Sequence, residues 1–178
     1  MGDLGGRLAR GEPAAFAELY DACADRLHHY LVARLGSVAD ADDLVQETFV
    51  RLARGRHKLS DVDNLVAYVF TVARNETASL MASKLREAAS REQRASAAEL
   101  FEGARGGAGD VSETAEALTR ALARLPTEQR EIVELKHYAE LTLRQIAEIT
   151  GHPQGTVATR YRTAITQLRE WLKRACHE

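Results

Sequence analysis

Apolar positions recur along most of this chain with the period of an α-helix. Side chains three and four residues apart are aliphatic or aromatic while the positions between them are polar, as in helices with one buried face. Such stretches run over residues 13–35, 40–54, 64–85, 112–125, 128–139 and 142–168. Runs of β-branched residues are short, and only three prolines occur among 178 residues. We therefore predict an all-α protein.

The last of these stretches predicts two helices joined by a tight turn. Thr142 and Gln145, three residues apart, can form a capping box at the start of the first helix. Gly151 suits a left-handed helix stop, and Pro153 suits the first turn of the next helix. The pair has the form of a helix-turn-helix, whose second helix commonly lies in the major groove of DNA. An ordinary helical hairpin inside an all-α core fits the same pattern.

The segment from residue 87 to residue 111 divides the chain. It is rich in Ala, Ser, Glu and Gly, with four glycines between Gly103 and Gly109. Because long structureless loops are uncommon inside compact domains, we predict a short helical extension followed by a flexible linker. The linker would join a three-helix domain over residues 8–86 to a four-helix domain over residues 112–176.

The overall charge does not by itself indicate a nucleic-acid partner, since 24 basic residues are outweighed by 26 acidic ones. The distribution is more informative, because from Thr150 onward five basic residues accompany two acidic ones. The basic surplus therefore lies on the predicted recognition helix, where contacts to phosphates need it. With no signal peptide, no run long enough to span a membrane and two cysteines without paired spacing, we expect a reduced cytoplasmic protein.

An enzyme is the obvious rival class, and the sequence offers little for it. It contains no Gly-rich phosphate loop, no nucleophile elbow and no zinc-protease helix signature. The six histidines lack ligand spacing among themselves, and Cys176-His177 fits a frayed terminus better than a metal site. We expect no catalytic site, no cofactor and no metal.

Three passages together carry a more specific pattern. They are DADDLVQETFVRLAR at 40–54, YVFTVARNETASLMASKLRE at 68–87, and the passage from Leu125 to Glu170 that includes the helix-turn-helix. In this order they resemble regions two and four of the extracytoplasmic-function sigma factors, the smallest group of the sigma-70 family. The resemblance implies a bacterial protein that binds the RNA polymerase core, directs promoter-specific initiation and is held inactive by an anti-sigma partner.

The first passage makes the resemblance specific to sigma factors, because the third is shared with other helix-turn-helix proteins. Two alternatives therefore stay open at this point. One is a helix-turn-helix regulator that acts without the polymerase core, and the other is a sigma-like protein that does not melt promoters itself.

In that family the first passage docks on the polymerase core. By position, the resemblance implies a polar face of Asp43, Gln46 and Glu47 beside an apolar edge of Phe49 and Leu52. Acidic residues spaced three and four apart on a helix can pair with a basic helical partner and steer its approach. The same acids also suit a solvated face near a helix N-terminus.

Region four of the family reads the upstream promoter element. The resemblance implies DNA contacts by Thr142, Arg144, Gln154, Thr156, Thr159, Arg160, Arg162 and Thr163. Gln154 at the helix start can pair with an adenine through two hydrogen bonds, and Thr142 and Arg144 would contact phosphates.

Two features of the recognition helix modify this expectation. Arg160 and Arg162 are two residues apart and cannot point the same way, so one would reach a base or phosphate and the other the backbone to one side. Ala158 stands where family members commonly carry Lys, which removes one phosphate contact. We expect DNA binding by this domain to depend on the polymerase.

Region two opens and reads the downstream element, and the resemblance places this task on the loop 55–64 and the helix after it. The implied residues are Arg56, His57, Lys58, Arg74, Asn75, Ser79, Lys84 and Arg86. Holding an unstacked base costs a few kcal/mol, which basic and stacking groups must offset. The basic stripe after Asn75 is thinner than in the family, which argues against independent promoter melting, and Arg74 can alternatively close the helical core.

Overall fold

The computed structural model describes residues 3–95 and 113–175, and every regular element within them is helical. The elements are α1 (Leu4–Ala9), α2 (Pro13–Leu35), α3 (Val38–Arg54), a 3₁₀ helix (Arg56–Asp61), α4 (Leu65–Ala95), α5 (Glu113–Arg124), α6 (Thr127–His137), α7 (Leu143–Thr150) and α8 (Gln154–Ala175). The predicted all-α class is confirmed. Residues 96–111 of the predicted linker and the Cys176-His177 pair lie outside the described residues.

The N-terminal domain, α1 to α4, is organised around α4. Val69, Phe70 and Ala73 of α4 are fully buried, as the nearly continuous apolar start of this helix predicts. Helices α2 and α3 pack across it and contribute the apolar stripe that recurs along each. Gly36 closes α2 in the left-handed conformation with φ of 68°, where a side chain would be strained.

The C-terminal domain, α5 to α8, surrounds a second cluster of buried side chains. The members of this cluster are Ala121, Leu122, Leu125, Val133, Ala164 and Leu168. Trp171 packs against it from α8, and the Arg124 guanidinium lies 5.3 Å from the centre of the indole. This cation–π contact ties the start of the domain to its last helix.

The helix-turn-helix forms as the sequence predicts. The Thr142 hydroxyl accepts a hydrogen bond from the Gln145 backbone N–H, and the Gln145 side chain accepts one from the Thr142 backbone N–H. Gly151 ends α7 in the left-handed conformation with φ of 70°. Helix α8 follows after Pro153 and packs its Val157 side against the core.

The two domains pack against each other, and we call this the closed arrangement. Helix α4 contacts α7, and α2 contacts α6. The apolar core around Tyr30 and Phe70 continues without a break into buried side chains of the C-terminal domain. These side chains include Ile132, Leu135, Leu141, Ile146, Ile149 and Val157. None of the helices in the described residues is both long and apolar enough to cross a membrane.

Candidate polymerase and nucleic-acid interfaces

Helix α3 presents the polar part of the predicted docking face to solvent. Asp43 and Gln46 are exposed, and Glu47 lies half-buried one turn further along. The Glu47 carboxylate accepts a hydrogen bond from Arg51 at 2.9 Å, and the same guanidinium reaches Glu76 of α4 at 2.9 Å. The acidic surface is therefore centred on Asp43, which carries no basic partner among the described ion pairs.

The residues along the apolar edge of this face are buried to different extents. Leu52 is 2% exposed and belongs to the core, while Phe49 is half-buried with its ring 4.9 Å from that of Tyr20. Tyr20 is 47% exposed and Val50 is 40% exposed, so both add apolar area beside the acids. The sequence alone does not indicate Tyr20 as part of this surface, because an aromatic residue in an amphipathic helix is expected on the buried side.

The 3₁₀ helix exposes the three loop residues that the sequence nominated. Arg56, His57 and Lys58 all lie on the surface, whereas Leu59 is 1% exposed and anchors the turn. Arg56 donates a hydrogen bond to the Ala53 carbonyl at 3.3 Å. The turn thus holds a small group of positive charge around one buried leucine.

A cavity of about 240 Å³ lies beside the 3₁₀ helix, where α3, the turn and α4 meet. The residues that line it include Tyr68 and Asn75, together with Leu59 and Glu76. An aromatic ring can stack on a nucleobase, and an amide can hydrogen-bond to its edge. The arrangement has the chemistry needed to hold one unstacked base.

Helix α4 sorts the remaining region-two residues onto different sides. Asn75, Ser79 and Arg86 are exposed and share one side, being four and eleven residues apart. Lys84 lies elsewhere and its ammonium contacts the Asp40 carboxylate of α3 at 2.5 Å. Hydrogen bonding by Lys84, and secondarily by Ser37, lowers the pKa of Asp40 below its ordinary value.

Arg74 points away from this exposed side and into the contact between the domains. Its Nε and Nη2 atoms donate to the two Glu131 carboxylate oxygens of α6 at 2.7 and 3.1 Å. Arg34 of α2 donates to Glu134 at 3.0 Å, and Arg130 donates to the same carboxylate at 2.6 Å. We call the Arg74–Glu131 and Arg34–Glu134 contacts the interdomain ion pairs.

The acidic partners of these pairs are buried on the inner side of α6, where Glu134 is only 1% exposed. A buried carboxylate is costly unless it is paired and hydrogen-bonded, so each needs its arginine. Sequence reasoning missed both glutamates, although one signal was present. Glu131 and Glu134 each stand directly before an apolar residue, Ile132 and Leu135, on a short helix. These positions cover more of the inward side than a purely apolar face would, so the two acids are also expected there.

The recognition helix α8 exposes most of the predicted DNA contacts. Gln154, Thr159, Arg162 and Thr163 lie on the surface, and Thr156 is half-buried. The hydroxyls of Thr159 and Thr163 donate to backbone carbonyls one turn earlier, which leaves their methyl groups outward.

Arg160 has a different environment from the other predicted DNA contacts. Its Nη2 atom lies 2.8 Å from Glu128 of α6, and its side chain is 29% exposed. At the other end of the motif, Thr142 is exposed at the start of α7 and Arg144 is 81% exposed, 3.4 Å from Glu148. The structure thus groups Arg144 and Arg162 with the exposed set and places Arg160 in a contact within the domain.

Sequence comparisons match both halves of the chain. The profile described as Sigma-70 region 2 matches residues 19–87, and that described as Sigma-70, region 4 matches residues 115–168. Both regions of the sigma-70 class are therefore present on one helical chain, in the order that the resemblance predicts.

Curated relatives make the class more specific. The ECF RNA polymerase sigma factor RpoE of Cereibacter sphaeroides is 31% identical over 166 residues, covering 89% of this chain and 87% of that protein. SigL of Mycobacterium tuberculosis, also an ECF RNA polymerase sigma factor, is 30% identical and covers 90% of each chain. The chain belongs to the ECF group of RNA polymerase sigma factors, and the predicted function of directing promoter-specific initiation is confirmed.

Solved structures agree with this fold. The sigma factor RpoE in complex with the anti-sigma factor NepR from Bartonella quintana aligns with a TM-score of 0.62 at 25% identity, covering 92% of this chain and 98% of that one. CnrH, solved in complex with the cytosolic domain of CnrY, aligns with a TM-score of 0.68 at 23% identity and covers 96% and 95%. The second likeness concerns the fold alone.

Proposed function

We propose that this sigma factor docks on the RNA polymerase core through the exposed part of α3 and its neighbour on α2. The surface consists of Asp43, Gln46 and Glu47 with the ring pair of Tyr20 and Phe49. Acid beside exposed aromatic area supports this assignment, because charge steers a basic partner while aromatic side chains supply the apolar centre of an interface. The observation that carries it is the exposed Asp43 carboxylate, which has no basic partner among the residues that the structure describes.

Asp43→Arg tests this docking surface. We expect at least roughly tenfold weaker binding to purified core polymerase, because a like charge facing a basic partner costs several kcal/mol. Glu170→Arg, an exposed residue at the far end of α8, is the matched control because it changes the net charge equally. Affinity is measured by fluorescence anisotropy of labelled protein at low salt. Equal affinities of the two variants for core polymerase would show that α3 is not part of the interface.

We further propose that each domain reads its own promoter element, with domain limits near 8–86 and 112–176. Helix α8, with Arg144 at the start of α7, would read the upstream duplex. The 3₁₀ helix and the side of α4 that carries Asn75 would hold the downstream strand. The cavity beside Tyr68 supports the second assignment, since it combines a stacking ring with a hydrogen-bonding amide.

Asn75→Ala tests the downstream assignment. We expect holoenzyme carrying this variant to lose most run-off transcription from genomic fragments, while its affinity for core polymerase stays unchanged. His29→Ala, exposed on α2 and absent from the cavity walls, is the control outside the proposed strand-binding surface. Full transcription by holoenzyme with the Asn75→Ala variant would show that another part of the domain reads the base.

In this proposal the chain is a binding subunit that catalyses no reaction itself. It acts in the cytoplasm, where RNA polymerase works. RpoE of Bartonella quintana is described as bound to an anti-sigma factor, and we propose a comparable partner for this chain. Co-elution of the purified chain with bacterial core polymerase at low salt checks the role as a binding subunit, and failure to co-elute would contradict it.

A further inference from the structure

The short helix α1 packs directly on the 3₁₀ helix at a point where only glycine fits. A Cβ atom built on Gly5 would lie 2.6 Å from the Leu59 carbonyl oxygen and 3.5 Å from the Ser60 Cα. Leu8 of α1 and Leu59 of the turn are both fully buried. The backbone of the turn therefore rests against the backbone of α1, with no side chain between them.

Helix α1 is itself held in place on its other side. The Asp3 carboxylate accepts a hydrogen bond from the Gly6 backbone N–H at 3.0 Å and so caps the helix. Arg7 reaches Glu12 at 3.1 Å and Glu18 of α2 at 2.8 Å. The helix thus connects the long helix α2 to the 3₁₀ helix.

Helix α1 supports the same part of the 3₁₀ helix that carries the exposed charged side chains. Leu59 is the inward anchor, and Arg56, His57 and Lys58 precede it on the exposed side. Leu59 also forms one wall of the cavity that contains Tyr68 and Asn75. The position of the Leu59 backbone therefore sets both the direction of these three side chains and the width of the cavity.

We propose that α1 positions the 3₁₀ helix for reading the downstream promoter strand, and that Gly5 is the positioning residue. This inference rests on the proposed function, in which the turn and the cavity hold an unstacked base. Gly5 contacts no nucleic acid in this scheme. It lets α1 approach closely enough to fix the Leu59 carbonyl, and with it the cations before it.

Gly5→Ala separates this role from simple helix stability. Alanine is a better helix former than glycine, so the substitution favours α1 itself. The added methyl group nevertheless has to displace the Leu59 backbone, because a carbon–oxygen approach of 2.6 Å is not tolerated. A loss of strand binding with the affinity for core polymerase retained is therefore the signature of positioning.

Gly6→Ala is the matched control, because it makes the same change one residue later in the same helix. There the added methyl group meets only the Asp3 side-chain carboxyl, which has to give up its hydrogen bond to the Gly6 N–H but leaves the Leu59 backbone in place. The probe is a fluorescent single-stranded oligonucleotide from the non-template strand of a promoter mapped by run-off transcription. Affinities of holoenzyme for this strand and of each variant for core polymerase are measured side by side.

We expect Gly5→Ala to weaken strand binding by roughly tenfold, since contacts to a base depend on hydrogen-bond geometry. Core affinity should match wild type for both variants, and Gly6→Ala should also keep the wild-type strand affinity although it loses the Asp3 cap. Wild-type strand affinity for Gly5→Ala overturns the inference while leaving the proposed function intact. Absence of strand binding by the wild-type holoenzyme instead overturns the proposed function, and the inference with it.

A second variant tests the same support by removing contact between α1 and the core instead of adding a clash. Leu8→Ala removes buried apolar contact from the inner side of α1 and introduces no clash. It must weaken strand binding while core affinity is retained, because it loosens the same support. Unchanged strand binding by Leu8→Ala contradicts a positioning role for α1.

Discussion

Two arginines of the recognition helix show how neighbouring residues of one type differ in role. Arg162 is exposed and its Nε donates to the Ala158 carbonyl at 3.2 Å, whereas Arg160 is held by Glu128. Two residues along a helix correspond to a rotation of about 200°, so the two guanidinium groups lie on different sides. The exposed one is the better candidate for DNA.

Arg162→Ala should lower the affinity of the holoenzyme for promoter DNA and reduce the salt dependence of binding by about one charge. Arg160→Ala should leave the salt dependence nearly unchanged and affect mainly the contact between α6 and α8. Promoter affinities measured across a series of salt concentrations distinguish the two. A lower slope for Arg160→Ala alone would reverse the assignment.

Cys23 is a buried thiol whose reactivity can be forecast. It is 1% exposed, its Sγ donates to the Leu19 carbonyl at 3.0 Å, and burial raises its pKa to about 11. Because the thiolate is the reactive form, Cys23 should resist alkylation in the native protein near neutral pH. The folded state binds this proton more tightly than the unfolded state, so its contribution to stability is present below the unfolded pKa and decreases as pH rises above it.

Iodoacetamide labelling of the Cys176→Ser variant measures this directly. We expect negligible modification of Cys23 in native buffer at pH 7.5 and complete modification in concentrated guanidinium chloride. Rapid labelling of the native variant would show that α2 opens locally around Cys23.

At the level of whole elements, the capping box at the start of α7 is the best-defined local device. Thr142→Ala removes the acceptor of the Gln145 backbone N–H and should destabilise the C-terminal domain by about 0.5–2 kcal/mol. Thr142→Ser keeps the hydroxyl and should stay close to wild type. Urea unfolding followed by circular dichroism gives both values, and equal losses for Ala and Ser would mean that the methyl group matters instead.

Helices with chemical signals at both ends could be predicted closely from the sequence. The bounds of α2 agree with the prediction because Pro13 starts it and Gly36 stops it, and the turn before α8 follows from Thr142 and Gly151. Arg56, His57 and Lys58 of the 3₁₀ helix lie on the surface. Their role in binding DNA stays a prediction.

Two features of the structure could not be predicted from the sequence. Helix α1 is six residues long and contains two glycines, so it is too short for an apolar period and too poor in helix formers. The interdomain ion pairs join residues 57 and 100 positions apart, a relation that local patterns do not contain. For the same reason the sequence alone could not decide whether the Arg74 side chain contacts DNA or closes the helical core.

For the molecule as a whole, the interdomain ion pairs hold the closed arrangement together. Glu131→Gln should weaken it by about 2 kcal/mol, since it replaces a charge-assisted, two-point hydrogen bond by a neutral one. Small-angle X-ray scattering of the free chain should then show a larger radius of gyration, increasingly so with added salt. Glu170→Gln, exposed on α8, should leave the radius unchanged.

The exchange of both charges, Arg74→Glu with Glu131→Arg, checks that the effect belongs to this pair. The double variant should recover much of the compactness that either single variant loses, because the attraction is restored in the opposite sense. Two single variants as compact as wild type would mean that apolar contact alone closes the molecule.

The continuity of the apolar core across the two domains gives the closed arrangement a dependence on temperature. Separating the domains hydrates side chains such as Ile132 and Ile146, and contact between apolar surfaces weakens on cooling. The desolvation penalty of ion pairs is also larger in the cold than in the heat. Cooling should therefore shift the chain toward separated domains and free the Arg74 guanidinium.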